Sequence, residues 1–269
     1  MNSARIEFVI EGVALCAPGL PTWNDAIGVL RGDRDYIAAQ MQRPAPALLS
    51  TNERRRAPDS VLLALAVAEQ ACAMSGREPR VLPNVFASAY GDLAINDYLC
   101  AELARAPLDI SPTKFHNSVH NAPAGYWTIA TGCMAASSAV SAGTATFGAA
   151  LLETALIVAR DSTPALLVVF DTATQGPLTD VVPSLSPFAM ALVLAPPGAS
   201  AGARIGLRMS RDSAAGLASL PSSLHSLQAT SPAAGGLPLL AALALRQPAT
   251  LGIDAGPPGA NGLKLEISF

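Results

Sequence analysis

The apolar positions fall into short blocks that change period along the chain. Ile6 to Leu15 mixes alternating with continuous apolar character and ends at Pro18-Gly19, which predicts a first strand. Thr22 to Leu30 predicts a short helix, with Thr22 as N-cap, Asp25 in the first turn and Gly32 closing it. Arg43 to Arg56, rich in Pro and Arg, reads as a loop. A helix follows from about Pro58 to Met74, stopped by Gly76, with Val61, Leu62, Leu65, Val67 and Ala68 largely on one face. Pro83 to Ser88 predicts a strand, then a turn at Tyr90-Gly91-Asp92 and a helix through Leu103. Ser111 to Asn121 fits a strand or a short helix, and Ala124 to Ala130 a helix after the interruption at Pro123. Gly143 precedes a long helix, Thr146 to Arg160, and Ala165 to Asp171 is a buried strand. After a loop from Gln175 to Pro187 comes a strand, Phe188 to Leu194. Gly198 to Ser231 is low in complexity and is expected to hold the most mobile segment. A helix, Leu237 to Leu245, and a strand, Leu263 to Phe269, complete an alternation that indicates a layered α/β fold.

Composition narrows the function classes. The 269 residues are 51% hydrophobic and only 14% charged, with a net charge of −3; ordinary domains carry about 25% charged residues. A mildly acidic balance excludes nucleic acid or anionic lipid as the main partner, because both select basic patches. The best candidate for a membrane span, Leu237 to Leu245, is about half the ~20 residues that such a span needs. Glu7 and Glu11 break the apolar patch from Phe8 to Leu20 as a signal peptide. Cys16, Cys72, Cys100 and Cys133 form no CxxC pair, which fits free thiols in a reducing cytosol and a cytoplasmic protein. The shortage of surface charge points to burial against a partner subunit.

Familiar reactive motifs fail on inspection. His116-Asn-Ser-Val-His120 has the spacing of a zinc helix, but Asn117 stands where a metalloprotease needs Glu, and no third ligand is near, so no metal is expected. Gly143 to Gly148 has the outer glycines of a phosphate loop, but Ala149-Ala150 replaces Lys-Ser/Thr. There is no G-x-S-x-G elbow. Cys133 lies near a glycine-rich stretch with no cation beside it to make it a thiolate. No cofactor motif is present.

Taken in order, several segments resemble a ketosynthase of the thiolase superfamily. Val9-Ile-Glu-Gly12 through Gly19, with Trp23 and Leu30-Arg-Gly32, is similar to that family's first strand and helix, and Val85-Phe-Ala-Ser88-Ala-Tyr-Gly91 to its next strand and turn. Ser111-Pro-Thr113 with Val119-His-Asn121-Ala-Pro-Ala124-Gly125 resembles the segment that pairs two subunits. Ala139 to Thr144 occupies the place of the nucleophile elbow, Gly235-Gly236-Leu237 that of the late glycine-led helix, and Gly256 to Leu263 that of the closing glycine-rich loop. The resemblance implies a thiolase-like layered αβαβα fold in one compact unit, 1–269, with an N-terminal half, 1–197, and a shortened C-terminal half, 198–269.

The resemblance also shows what is missing. Thr144, or Gly143 one residue earlier, stands where an active ketosynthase has its cysteine. One catalytic histidine falls at Ala229 or Thr230, and the other has no counterpart. This pattern is similar to a chain-length factor, a silent subunit that pairs with an active ketosynthase, and the short length most resembles those of aryl polyene clusters. A heterodimer with a ketosynthase, and an acyl carrier protein as a further partner, follow as expectations. The bulky residues of the pairing segment, Phe115, His116, His120, Tyr126 and Trp127, with Ser118 and Asn121 among them, would line the interface and the end of an acyl tunnel. The alternative is a divergent acyltransferase that uses Thr144 or Cys133.

Overall fold

The computed structural model describes residues 5–182, 184–198, 202–210, 220–256 and 262–269. Its elements run β1 (Arg5–Cys16), α1 (Trp23–Leu30), α2 (Thr51–Arg56), α3 (Asp59–Ser75), β2 (Asn84–Ala87), α4 (Leu93–Arg105), α5 (Pro112–Asn117) and α6 (Ala122–Thr131). They continue with β3 (Ser137–Val140), α7 (Thr146–Asp161), β4 (Ala165–Asp171), β5 (Phe188–Ala195), β6 (Ala203–Ser210), α8 (His225–Thr230), α9 (Leu237–Leu245), β7 (Ala249–Asp254) and β8 (Gly262–Ser268). The strands form one mixed eight-stranded sheet in the order β3-β2-β4-β5-β1-β6-β8-β7. β2 pairs in parallel with β3 and β4, and every later pairing is antiparallel. This is the α/β alternation read from the sequence.

An irregularity in β1 organises the two faces of the sheet. Phe8 and Ile10 belong to the same apolar cluster as Val13 and Leu15, two even and two odd positions on one face. Regular alternation forbids that. The register against β5 shifts between Ile10 and Gly12, so the extra residue is Glu11. Its carboxylate takes two hydrogen bonds from the Arg77 guanidinium, at 2.7 and 2.8 Å. The mixed period noted in this segment is therefore a bulge in a buried strand.

Beyond the bulge, Ala14 and Cys16 face α3 together with Leu166, Val168 and Phe170 of β4 and Ala189, Ala191 and Val193 of β5. α3 is expected to bury one face, yet every residue from Ser60 to Leu65 is buried. It is a central helix, covered by the sheet on one side and by α6 among others. Gly12 makes its approach possible, because a Cβ there would collide with the Ala71 carbonyl oxygen. On the opposite face, α1, α7 and α9 pack against Leu167, Val169, Met190 and Leu192.

Three differences from the sequence reading have local causes. The expected loop from Arg43 to Arg56 contains α2, started by a capping box: Glu53 N–H donates to Ser50 Oγ (3.3 Å) and Ser50 N–H to Glu53 Oε2 (2.8 Å). The low-complexity stretch holds β6, whose Ala203, Ile205 and Leu207 are buried in alternation, and also α8. The mobile segment expected within it falls partly on 199–201 and 211–219, outside the described residues, as do residues 257–261 of the glycine-rich loop. β3 and β7, short and rich in small residues, were not anticipated.

The close approach at Gly12 gives a test. Gly12→Ala forces α3 off β1 and lowers stability by about 1–3 kcal/mol, the usual range for overpacking. Gly125→Ala, in α6 with open space around it, leaves stability unchanged or raises it by up to ~1 kcal/mol. Urea denaturation midpoints of the two variants check both outcomes.

Candidate functional site

The carboxyl ends of the parallel strands β2, β3 and β4 meet at one end of the sheet, the edge where α/β folds place their sites. Asp171, the last residue of β4, is only 1% exposed. Its Oδ1 accepts from the Ser88 hydroxyl at 2.7 Å and from the Ala89 N–H at 2.9 Å. The N–H groups of Ala233 and Tyr90 also face the carboxylate, while Oδ2 makes no hydrogen bond of normal geometry among the described residues. Burial, offset in part by these donors, pushes its pKa up to about 6. Ser88 Oγ in turn accepts from the Gly91 N–H at 2.9 Å. His120 Nε2 lies 2.9 Å from the Ser88 carbonyl oxygen; a carbonyl only accepts, so this nitrogen carries the proton.

The segment expected to be the elbow, Ala139 to Thr144, sits beside this cluster. Ser141 Oγ donates to the Ala89 carbonyl at 3.0 Å, and Ser88 N–H to the Val140 carbonyl at 3.2 Å. Gly143, at φ 56°, opens a tight turn into α7. Buried Thr146 closes it, donating to the Gly143 carbonyl (2.7 Å) and accepting from the Ala142 N–H (3.0 Å). Thr144 is exposed on this turn. Of Ala229 and Thr230, the two positions where the resemblance puts a catalytic histidine, the Thr230 hydroxyl turns back to the Ser226 carbonyl (2.8 Å), and the Thr230 carbonyl accepts from Leu185 N–H (2.7 Å). The arrangement offers hydroxyls and a buried carboxylate. Among the described residues no imidazole is hydrogen-bonded to Thr144.

Cys133 lies elsewhere. Its Sγ is 3.4 Å from the Leu82 carbonyl and 3.8 Å from Asn84 Nδ2, at the start of β2 and not at its carboxyl end. It is buried and remote from the elbow. Burial also pushes the Cys16 and Cys72 thiols up to about 11 and about 12, so both stay protonated. All four cysteines are unpaired.

The residues expected to line an interface divide into groups. Phe115, His116, Asn121 and Tyr126 border a groove of about 510 Å³ along α5 and α6, completed by Leu49, Val119 and Ile129. Phe115 is 65% exposed and Ile129 81%, although both are large and apolar. Ser118 turns its hydroxyl to the Phe115 carbonyl at 2.8 Å, and Tyr126 donates to Asn117 Oδ1 at 3.2 Å. His120 points inward to Ser88. Trp127 is fully buried, its ring centroid 6.2 Å from that of Phe86, so it supports α6 from beneath. The sequence alone assigns no role to Asp171 or to the Ser88 hydroxyl. The available signal was a carboxylate ending an otherwise wholly apolar strand.

A family model described as the N-terminal domain of beta-ketoacyl synthase matches residues 31–247. Among solved structures, a chain from the complex of a ketosynthase (ApeO) with its chain length factor (ApeC) from Xenorhabdus doucetiae is 23% identical, with a TM-score of 0.71 over 97% of this chain and 99% of that one. A chain from the type II polyketide synthase complex AntDE:AntF, an acyl-carrier protein with its ketosynthase, is 12% identical, with a TM-score of 0.73 over 98% and 99%. A beta-ketoacyl synthase from Burkholderia phymatum STM815 is 14% identical at a TM-score of 0.60, covering 83% of this chain but 69% of its own. No curated protein matches the chain. The fold is therefore that of the thiolase-like ketosynthases, in a compact form.

Asp171 gives the site a pH signature. Its folded pKa lies above the ordinary value of 3.8, so between pH 4 and 6 the unfolded chain loses a proton that the folded chain keeps. Stability then falls as pH rises through that window and is level in this respect above about pH 6. Asp171→Asn removes the fall, which is on the order of 1–3 kcal/mol. Urea unfolding at pH 4, 5, 6 and 7 shows a steeper decline for the parent chain than for the variant.

Proposed function

This chain belongs to the beta-ketoacyl synthase family, and from that membership we propose that it is a catalytically silent chain-length factor. It pairs with an active ketosynthase and helps to define the tunnel for a growing acyl chain, most closely in the manner of aryl polyene biosynthesis. One observation carries the reading. A tight turn leads into α7, and Thr144, which the resemblance sets where an active ketosynthase has its thiolate, is exposed on it, while Thr230 turns its hydroxyl onto its own helix. A threonine hydroxyl without a base beside it is a poor nucleophile. The acyltransferase alternative through Cys133 is opposed by the burial of that thiol at the start of β2.

The surface supports a protein partner. Phe115, Val119 and Ile129 stand exposed along α5 and α6, and among the described residues β3 ends the sheet with an unpaired edge. Exposed apolar patches and open strand edges are where chains associate. An obligate interface of about 2,000–5,000 Å² would cover both and account for a surface so poor in charge. An acyl carrier protein is a further partner, since one is bound in the AntDE:AntF neighbour. Free cysteines fit a cytoplasmic setting, and among the described residues no helix is long and apolar enough to cross a membrane.

In this reading Phe115, His116 and Tyr126 bound the far end of the tunnel. A buried methylene is worth ~0.8 kcal/mol, so a wider end shifts the product distribution measurably. Co-expression with the ketosynthase of the same gene cluster yields a one-to-one complex by size exclusion. Mass spectrometry of its products shows longer chains for Phe115→Ala or His116→Ala with the complex intact. A monodisperse monomer that ignores the ketosynthase contradicts the partner role, and unchanged lengths in both variants contradict the tunnel role.

A further inference from the structure

The cluster at the carboxyl end of the sheet does more than satisfy a buried charge. Ser88, Ala89, Tyr90 and Gly91 form the turn that leaves β2, and Asp171 or Ser88 Oγ accepts from three of their N–H groups. Two other segments hang on the same turn. His120, in the link between α5 and α6, is held by the Ser88 carbonyl, and the elbow is held at Val140 and Ser141. A third, the turn Pro232–Gly236 before α9, faces the carboxylate through the Ala233 N–H. One side chain thus stands at the junction of the elbow, the groove-bearing α5–α6 segment and the C-terminal part of the chain.

We propose that Asp171 is the positioning residue of this chain: its carboxylate fixes the turn after β2, and through that turn sets the α5–α6 segment against the elbow. The contact between Asp171 and Ser88 fixes the turn, and the turn presents the Ser88 carbonyl to His120. The ring of His120 then orients the residues that enter α6, including Asn121 on the groove. Only the identity of what the groove faces rests on the chain-length-factor reading. The internal coupling stands or falls in the isolated chain.

The test uses the purified full chain with Ser88→Ala, Asp171→Asn and Asp171→Ala. Long-range nitrogen–proton spectra report the tautomer of each histidine, and hydrogen exchange reports each backbone amide. In the parent chain neutral His120 carries its proton on Nε2. In Ser88→Ala and Asp171→Ala the His120 ring nitrogen and proton shifts move toward those of a free imidazole as the hydrogen bond to the Ser88 carbonyl loosens, while those of His116 and His225 do not move. Amides of 88–91 and 118–125 exchange at least about tenfold faster, with those of α3 and β5 unchanged. Asp171→Asn, which keeps one acceptor oxygen, gives a smaller effect. Should Asp171→Ala fail to fold, Ser88→Ala decides alone. An unmoved His120 with parental exchange in Ser88→Ala overturns the proposal, and so does an equal rise in exchange throughout α3 and β5. If the coupling is seen but neither parent nor variant binds a ketosynthase, the positioning role stands and the chain-length-factor reading fails.

Discussion

The bulge at Glu11 is the constraint on which the two faces of the sheet depend. β1 lies between β5 and β6 and so joins the two parts of the sheet. Without the extra residue, either Phe8 and Ile10 or Val13 and Leu15 would turn to the wrong face. The Arg77 guanidinium satisfies the bulged carboxylate with two charge-assisted hydrogen bonds. Gly12, the next residue, then lets α3 lie against the strand. The central helix starts beside the site: Ser60, in its first turn, donates to Asp92 Oδ2 at 2.6 Å, and Asp92 caps α4. Register in one strand thereby reaches the turn that carries Ser88.

The side chains at that end of the sheet hold its turns in place. Here Thr146 ties the elbow turn to itself, and Asp171 collects donors from the turn after β2. These bonds stabilise the conformation of the elbow without requiring a reaction there. The apolar residues that a monomer would bury remain exposed on α5 and α6. A fixed turn and an uncovered apolar face beside it suit the docking of another surface.

Much of this was legible in the residue pattern because it rests on strong local signals. α1, α3, α7 and α9, and strands β4 and β5, follow from caps, glycine stops and unbroken apolar runs. β3 and β7 escaped because small residues such as Ser137, Ala139 and Gly252 carry no clear period, and their pairing partners lie far along the chain. α2 escaped because prolines and arginines masked the Ser50–Glu53 capping box. The turn into α7 could be read, since Gly143 ahead of a long helical run is a local signal. Asp171 could not, because a lone aspartate at a strand end gains meaning only when β2 and β4 pair and bring Ser88 beside it. Trp127 and Phe115 look equivalent in sequence, yet helix α6 buries the first and α5 presents the second.

The central claim is that this chain shapes a product without ever carrying the acyl group. Intact-mass analysis of the complex with its ketosynthase, after incubation with an acyl carrier substrate and brief quenching, tests it most directly. The account predicts the acyl mass on the ketosynthase subunit alone and an unmodified mass for this chain. An acyl adduct on this chain that disappears in Thr144→Ala would contradict it.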